Sequence, residues 1–201
     1  MIRLSRAPRT ARVPQDGAVH VDLKARLVEG FRWLDPGPHS THLVSDVSGW
    51  WRDPFVLTHV GAALAGLFAA ERPTVVVSPE VTGFLVGPLT ATALGVGFVE
   101  AYKDTRDRKV ATEMVWGQSL PDYRGRVMGL GVRASRLAAG DRALIVDDWA
   151  VTGAQIGALR AALRRGGVGV VGAAVIVDGC APSTATELGV RGLLRQADLP
   201  S

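Results

Sequence analysis

The sequence predicts an α/β protein whose central sheet is mostly parallel and is flanked by helices. Short apolar segments that suit buried strands alternate along the chain with segments whose apolar residues recur at helical spacing. Several of the strand segments are apolar on both faces, which is typical of a parallel sheet covered by helices on each side. The 201 residues, 47% of them hydrophobic and 21% charged, suffice for one domain with one core.

The first half of the chain predicts three helices and three strands. Apolar residues at helical spacing predict a first helix over 19–34, and the Pro36-Gly37-Pro38 run cannot continue it. Asp53 and Pro54 supply an N-cap and a first-turn proline for a second helix that reaches about residue 70. The remaining elements expected here are a helix over 82–94 and strands over 42–45, 74–77 and 97–102.

The second half begins with a long polar stretch, residues 103–125, that we expect to be a mobile loop. After it, a helix over 153–165 carries its apolar residues on one face and ends at Gly166-Gly167. The other elements expected here are strands over 126–132, 143–146 and 168–177, and a short helix and an edge strand within 181–201.

Composition and charge exclude several classes of protein. Lys and Arg number 23 against 19 Asp and Glu, a small excess that suits phosphate-bearing ligands and does not indicate nucleic acid. The single cysteine, Cys180, cannot form an internal disulfide, and no apolar run approaches the roughly 18 residues of a membrane span. We therefore expect a cytoplasmic protein with no membrane partner, consisting of a basic tail over 1–18 and one domain over 19–201.

The segment with the clearest chemistry lies between the strand over 143–146 and the helix over 153–165. Asp147 and Asp148 stand at the carboxyl end of the strand, where open α/β sheets bind ligands. Their carboxylates can accept hydrogen bonds from the vicinal hydroxyls of a sugar. The small residues that follow allow a phosphate to approach the N–H groups at the start of the helix. Together these features indicate a ribose-phosphate site.

This ordered segment resembles the signature with which type I phosphoribosyltransferases bind 5-phosphoribosyl-1-diphosphate (PRPP). The resemblance implies that Asp147 and Asp148 are the catalytic pair and hold the ribose hydroxyls of PRPP. Trp149 occupies a position that is usually aliphatic in this family. The residues that the resemblance assigns to the 5′-phosphate are Ala150, Val151, Thr152, Gly153 and Ala154.

Two further segments are similar to the adenine phosphoribosyltransferase branch of this family. Residues 78–84 and 93–99 resemble its pyrophosphate-loop region. The segment Asp46-Val47-Ser48, followed by Asp53-Pro54, resembles the segment next to the base. The pyrophosphate contacts that the resemblance implies are Glu80, Val81, Thr82, Gly83 and Lys103.

The resemblance covers about residues 30–195 and implies the fold and the reaction of the family. The fold is Rossmann-like, with a small hood from about 19–50 and 178–201, a flexible loop over about 103–125, and a homodimeric assembly. The reaction transfers the 5-phosphoribosyl group of PRPP to a nitrogenous base, a purine such as adenine, and releases pyrophosphate in nucleotide salvage. Mg²⁺ is the expected cofactor, held mainly by the substrate and water.

The alternative is a PRPP-binding regulatory or sensor protein with little catalytic activity. Thr82 stands where the family's pyrophosphate loop commonly has arginine, and threonine cannot neutralise a diphosphate. Counting back from Gly140-Asp141-Arg142 places the flexible-loop glutamate of adenine-specific enzymes near Gly131, where this sequence has no carboxylate. A third interpretation, another nucleotide-handling α/β enzyme, requires the Asp147-Asp148 signature to be accidental.

Several other side chains have two interpretations each. Trp50 and Trp51 either flank a planar base or pack in the core or in an oligomer interface. The charged residues over 103–109 and 123–126 either form a lid over PRPP or are a solvated loop. The four histidines lack metal or triad spacing, so we assign them to caps, packing or the surface, and Cys180 to a buried position.

Overall fold

The computed structural model of the chain describes residues 17–38, 43–104, 112–119 and 127–200. Its α-helices are α1 (Gly17–Glu29), α2 (Ser48–Arg52), α3 (Pro54–Gly66), α4 (Gly83–Leu94), α5 (Ala154–Arg165) and α6 (Pro182–Leu188). Its strands are β1 (Arg32–Leu34), β2 (Val44–Asp46), β3 (Val75–Pro79), β4 (Gly97–Lys103), β5 (Met114–Gln118), β6 (Gly129–Arg133), β7 (Arg142–Ala150), β8 (Gly169–Asp178) and β9 (Val190–Arg195). Short 3₁₀ turns lie at Ala69–Glu71, Ala134–Arg136 and Gln196–Asp198.

A seven-stranded sheet in the order β5-β6-β4-β3-β7-β8-β9 forms the centre of the fold. The five strands β4, β3, β7, β8 and β9 are parallel, whereas β6 is antiparallel to β4 and β5 is antiparallel to β6. Val77 of β3 pairs with Ile145 of β7 and with Val99 of β4, so the carboxyl ends of these strands lie at one edge. The predicted α/β class with a mostly parallel sheet is confirmed.

Apolar side chains cover both faces of this sheet and alternate along its central strand β7. Leu144 and Val146 pack on one face with buried residues of α1, α3 and α4. Ala143 and Ile145 pack on the other face with buried residues of α5. Because both faces are covered, the strand is a continuous apolar run in the sequence. Burial of each large aliphatic side chain stabilises the fold by about 1.5–3 kcal/mol.

Most of the predicted elements are present, with boundaries moved by a few residues. The Asp53 side chain accepts a hydrogen bond from the Phe55 N–H at 2.8 Å, and Pro54 lies in the first turn of α3, as predicted. The helix ends at Gly66 rather than near residue 70, and a 3₁₀ turn follows it. Strand β7 is longer than predicted and includes both aspartates, because its pairing with β8 continues to Ala150.

The predicted first helix over 19–34 is wrong in its last part. Helix α1 ends at Glu29, and the residues that follow form β1, which pairs antiparallel with β2. The reason is a close crossing of two backbones, since a side chain on Gly49 would overlap the Gly30 carbonyl oxygen. The chain turns at this crossing, and Phe31 is buried by tertiary packing rather than on a helix face.

The predicted mobile loop over 103–125 is wrong in its middle part. Strand β5 lies there, paired antiparallel with β6 and packed on α5. A side chain on Gly117 would overlap the Ala158 carbonyl oxygen, so the glycine permits this close packing. No sequence pattern predicts this strand, because it is short and bordered by polar residues. The residues over 105–111 and 120–126, expected in a lid or a solvated loop, lie outside the described part of the chain.

Strand β1 contacts the last described residue of the chain. Trp33 of β1 donates its indole N–H to the Pro200 carbonyl oxygen at 2.9 Å. The hood from about 19–50 and 178–201 and the basic tail over 1–18 stay predictions. None of the described helices combines the length and the apolar character needed to cross a membrane.

Candidate active site

Two adjacent carboxylates occupy the carboxyl end of β7. Asp147 is only 4% exposed, and its Oδ1 accepts a hydrogen bond from the Asp148 backbone N–H at 3.0 Å. Burial raises the pKa of Asp147 well above its usual 3.8, and the neighbouring Asp148 carboxylate raises it further. Burial also raises the pKa of Asp148. Because ionising this pair is costly, the pair suits a ligand that brings hydrogen-bond donors or a cation.

A short loop connects these carboxylates to α5. Val151 and Thr152 are exposed, and the Thr152 hydroxyl accepts a hydrogen bond from the Ala154 N–H at 3.3 Å. Gly153 has a φ of +70°, which glycine adopts without strain, and a side chain there would overlap Leu188 of α6. The first N–H groups of α5 therefore follow a small, exposed loop, an arrangement that suits a phosphate.

The loop between β3 and α4 lies next to the carboxylates. A side chain on Gly83 would come within 3.3 Å of Asp147 Oδ1, so the glycine lets α4 begin against Asp147. The Thr82 side chain lies close enough to the Asp148 carboxylate to lower the pKa of Asp148, against the effect of burial. Val81 is 74% exposed, and the peptide bond that precedes it is cis.

Glu80 and Lys103 connect this loop to the end of β4. The Glu80 carboxylate accepts a hydrogen bond from the Lys103 backbone N–H at 2.7 Å, and the Glu80 N–H donates to the Ala101 carbonyl oxygen at 2.9 Å. The positive charge of Lys103 partly opposes the increase that burial causes in the pKa of Asp147. The structure thus brings three separate predicted segments together at one end of the sheet.

A cavity of about 500 Å³ opens beside Asp147, a size that suits a small-molecule ligand. Asp147 and all the predicted phosphate-loop residues line it, whereas the predicted pyrophosphate residues adjoin the carboxylates without lining it. The full lining is Trp33, Leu43, Val44, Ser45, Met128, Asp147, Trp149, Ala150, Val151, Thr152, Gly153, Ala154, Gln155, Ile156 and Gln196.

The predicted base-proximal residues support the cavity from outside its lining. Asp46 Oδ1 accepts a hydrogen bond from the Ser48 backbone N–H at 2.9 Å, and hydrogen bonds from Ser48 lower the pKa of Asp46. Val47 packs against the hydrophobic core. The residues of this stretch that line the cavity come just before them, at 43–45.

Aromatic residues do line the cavity, but they are not the pair that the sequence singled out. Trp50 is buried and donates its indole N–H to the Leu27 carbonyl oxygen at 2.7 Å, which identifies it as a core residue. Trp33 and Trp149 line the cavity instead. Sequence reasoning marked Trp149 only as a departure from the family. It missed Trp33, Met128 and Gln196, since these lie in separate segments that share no local motif.

The histidines and the cysteine within the described residues are packed, exposed or buried as the sequence predicts, and lie outside the cavity lining. His59 stacks on Phe55, with its Nδ1 2.8 Å from the Phe55 carbonyl oxygen, and His20 is exposed. Cys180 is buried as predicted, and burial raises the pKa of its thiol. The other two histidines, His39 and His42, lie outside the described residues.

Gly131, near which counting places the flexible-loop glutamate of adenine-specific enzymes, falls within the predicted strand over 126–132. Gly131 lies within β6, and a side chain there would overlap the ring of Trp116. The lack of a carboxylate at Gly131 is therefore explained by sheet packing.

The chain is similar to known proteins over most of its length. Residues 53–187 match the family model described as a phosphoribosyl transferase domain. A xanthine phosphoribosyltransferase of Brevibacillus brevis is 33% identical over 146 residues, which cover 72% of this chain and 70% of that protein. An orotate phosphoribosyltransferase of Thermus thermophilus is 31% identical over 169 residues, 84% of this chain and 80% of that protein. The solved adenine phosphoribosyltransferase of Thermoanaerobacter pseudethanolicus has a TM-score of 0.74 at 21% identity, covering 86% of this chain and 99% of that chain.

Proposed function

Because the chain belongs to the phosphoribosyltransferase family, we propose that it transfers the 5-phosphoribosyl group of PRPP to a purine base and releases pyrophosphate. The observation that carries this proposal is the buried Asp147–Asp148 pair, which continues directly into the loop that lines the cavity. The names of relatives that act on xanthine and adenine support a purine as the acceptor.

In this proposal the residues of the site position PRPP and do not attack it. Asp147 and Asp148 accept hydrogen bonds from the ribose hydroxyls and place negative charge beside the oxocarbenium-like ribose. The C1′–oxygen bond to pyrophosphate breaks, and its electron pair leaves with pyrophosphate. A nitrogen of the base bonds to C1′, and its N–H proton passes to water or to the departing pyrophosphate. The 5′-phosphate is bound by the backbone N–H groups of 150–154 and by the Thr152 hydroxyl.

The two other ligand groups are assigned to the neighbouring segments. Pyrophosphate lies against the loop of 80–83, with Lys103 supplying positive charge near Asp147. Thr82 carries no charge and contributes a hydroxyl that also contacts Asp148. The base lies toward Val44 and Ser45, and residues 46–48 hold that stretch in place.

The carboxylate pair fits a Mg²⁺ ion that is bound mainly through the substrate. Carboxylate oxygens are hard ligands, and a nearby cation would relieve the cost of ionising Asp147 and Asp148 in a buried place. Within the described residues no three His, Cys, Asp or Glu side chains are grouped to hold a metal ion, so diphosphate oxygens and water would complete its coordination. When bound, the ion neutralises charge on the diphosphate.

The experiment that tests this function measures pyrophosphate release from PRPP and Mg²⁺ with adenine, guanine, hypoxanthine, xanthine, orotate and uracil, and PRPP binding in parallel. We expect turnover with a purine. PRPP binding without turnover of any base would support the alternative of a regulatory or sensor protein, which the enzyme names of the relatives do not favour. Absence of PRPP binding would refute both.

Thr152→Ala is expected to weaken PRPP binding by about fivefold to thirtyfold, because it removes one hydrogen bond to a charged phosphate, about 1–2 kcal/mol. Calorimetric titration with PRPP measures the change. Thr58→Ala is the matched control, since the Thr58 hydroxyl is exposed on α3 and bonds to the Pro54 carbonyl oxygen. Equal dissociation constants for Thr152→Ala and the wild type would remove Thr152 from the phosphate site.

We also propose that the protein is a cytoplasmic homodimer. The resemblance to the family supports the dimer, and the exposed apolar side chains of Leu57 on α3 and Leu85 on α4 offer surface for it. The buried, unpaired Cys180 is consistent with a reducing compartment. Light scattering of the purified protein gives the molar mass that decides the assembly.

A further inference from the structure

Three aromatic side chains, Phe31, Trp33 and Trp149, form a cluster at one end of the cavity that we call the aromatic wall. Ring centroids are 4.9 Å apart for Phe31 and Trp33, 5.5 Å for Phe31 and Trp149, and 5.9 Å for Trp33 and Trp149. Phe31 is fully buried, whereas Trp33 and Trp149 are half-buried and line the cavity. The wall therefore presents two indole surfaces to a ligand and is supported by a core residue.

The position of the aromatic wall is fixed by the fold. Trp33 is held by the hydrogen bond from its indole N–H to the Pro200 carbonyl oxygen. Its ring also packs against the ring of Phe31 in an edge-to-face contact, with an interplanar angle of 88°, an arrangement that aromatic rings favour. Trp149 lies on β7, two residues after Asp147, and pairs with Val177 of β8. A preorganised apolar surface so close to the ribose carboxylates suits a planar group attached to that ribose.

The groups around the aromatic wall are uncharged except for Asp147. Of the described residues that line the cavity, Asp147 alone carries a charge. Ser45 and Gln196 add uncharged polar groups to the lining. An uncharged base with acceptor atoms can satisfy these groups, whereas a carboxylate would lose its hydration with no cation among them.

We propose that Trp33 and Trp149 determine which base the enzyme accepts, because the base stacks on their indole surfaces. The wall favours an uncharged bicyclic purine over a monocyclic pyrimidine that carries a carboxylate, since a purine covers more of the aromatic surface. This inference rests on the proposed function and adds the residues that select the base.

The test compares the effect of each substitution on the KM for the base with its effect on the dissociation constant of PRPP, in the full chain. Trp33→Leu and Trp149→Leu are each expected to raise the KM for the preferred purine about tenfold or more, the effect of losing one base-stacking side chain. The dissociation constant of PRPP is expected to stay within about twofold, because its ribose and phosphate contacts are separate from the wall. Trp149→Phe, which keeps an aromatic ring, is expected to recover most of the loss.

Trp51→Leu is the matched control for these variants. Trp51 is also a half-buried tryptophan, and its ring centroid lies 5.9 Å from that of Trp50. It is not among the described residues that line the cavity. We expect the KM for the purine to be unchanged in this variant. Purine binding is also followed by quenching of tryptophan fluorescence with PRPP and Mg²⁺ omitted, so the comparison does not depend on turnover.

The outcomes separate this inference from the proposed function. An unchanged KM for the purine with retained quenching in both leucine variants would overturn the role of the wall, and so would an equal effect in Trp51→Leu. Absence of PRPP binding in the wild type would overturn the proposed function, and base selection with it. A loss confined to the base in the leucine variants, recovered in Trp149→Phe, supports the inference.

Discussion

Replacing Asp147 and Asp148 together with asparagine is expected to abolish detectable binding of PRPP and to leave the protein folded. The amides keep the size of the side chains but lose the negative charge that accepts hydrogen bonds from the ribose hydroxyls and attracts a cation. Hydrogen bonds to charged groups contribute about 1.5–3 kcal/mol each, so the loss of two exceeds about a hundredfold in the dissociation constant.

The same double variant is expected to be at least as stable as the wild type at pH 7 without ligand. Burial raises the pKa of both carboxyls in the folded state above the 3.8 of an unperturbed aspartate. Between pH 3.8 and the raised pKa the folded protein binds more protons than the unfolded chain. The free energy of unfolding therefore falls as the pH rises through this range. Asparagine does not titrate, so the variant lacks this destabilisation.

Calorimetric titration with PRPP and Mg²⁺ measures the binding. Urea unfolding measures the stability at two pH values, about pH 5, roughly one unit above the ordinary pKa of aspartate, and about pH 7, well above it. The control, Asp22→Asn with Glu29→Gln, removes the same charge from exposed positions on α1 and is expected to bind PRPP as the wild type does. Retained affinity in the Asp147 and Asp148 variant would refute the assignment of the ribose site. A lower free energy of unfolding at pH 7 would contradict the argument from burial.

Gly61→Ala is expected to lower the free energy of unfolding by about 1–2 kcal/mol. Gly61 lies on α3, where a side chain would come within 2.5 Å of the backbone carbonyl carbon and oxygen of Leu89 on α4. Helix backbone cannot move aside as a flexible side chain can, so the two helices must separate. The higher helix propensity of alanine, about 1 kcal/mol, offsets only part of this cost. Because α4 begins beside Asp147, PRPP binding is expected to weaken as well.

Gly66→Ala on the same helix is the matched control, since no atom lies within 4 Å of the side chain it would add. We expect its free energy of unfolding to be unchanged or higher by up to about 1 kcal/mol. Urea unfolding of the two variants and the wild type makes the comparison. Equal values for Gly61→Ala and Gly66→Ala would mean that α3 and α4 separate without cost.

Local signals account for what the sequence could predict. The strands β3 and β8 are largely continuous apolar runs. Asp53 caps α3 by accepting a hydrogen bond from Phe55, two residues further along the chain, and Pro54 between them begins the helix. The carboxylate pair was found because the strand, the aspartates and the small-residue loop are contiguous. For the same reason residues 150–154 could be predicted as one group, and all five line the cavity.

Contacts between distant segments account for what the sequence could not predict. Strand β1 exists because Gly30 and Gly49 allow two backbones to cross, and β5 because Gly117 lets it pack on α5. The cavity lining combines Trp33, Met128 and Gln196 from three separate parts of the chain. Spacing along the sequence carries no information about such an assembly.

The contact of Trp33 and Trp149 with Phe31 constrains how base preference could change during evolution. Phe31 is a fully buried core residue, so exchanging either indole for a smaller side chain also leaves a void beside the core. A lineage that adopts a different base must therefore acquire compensating core substitutions, or start with stability to spare. Under the proposed role of the aromatic wall, base specificity is therefore inherited together with the core.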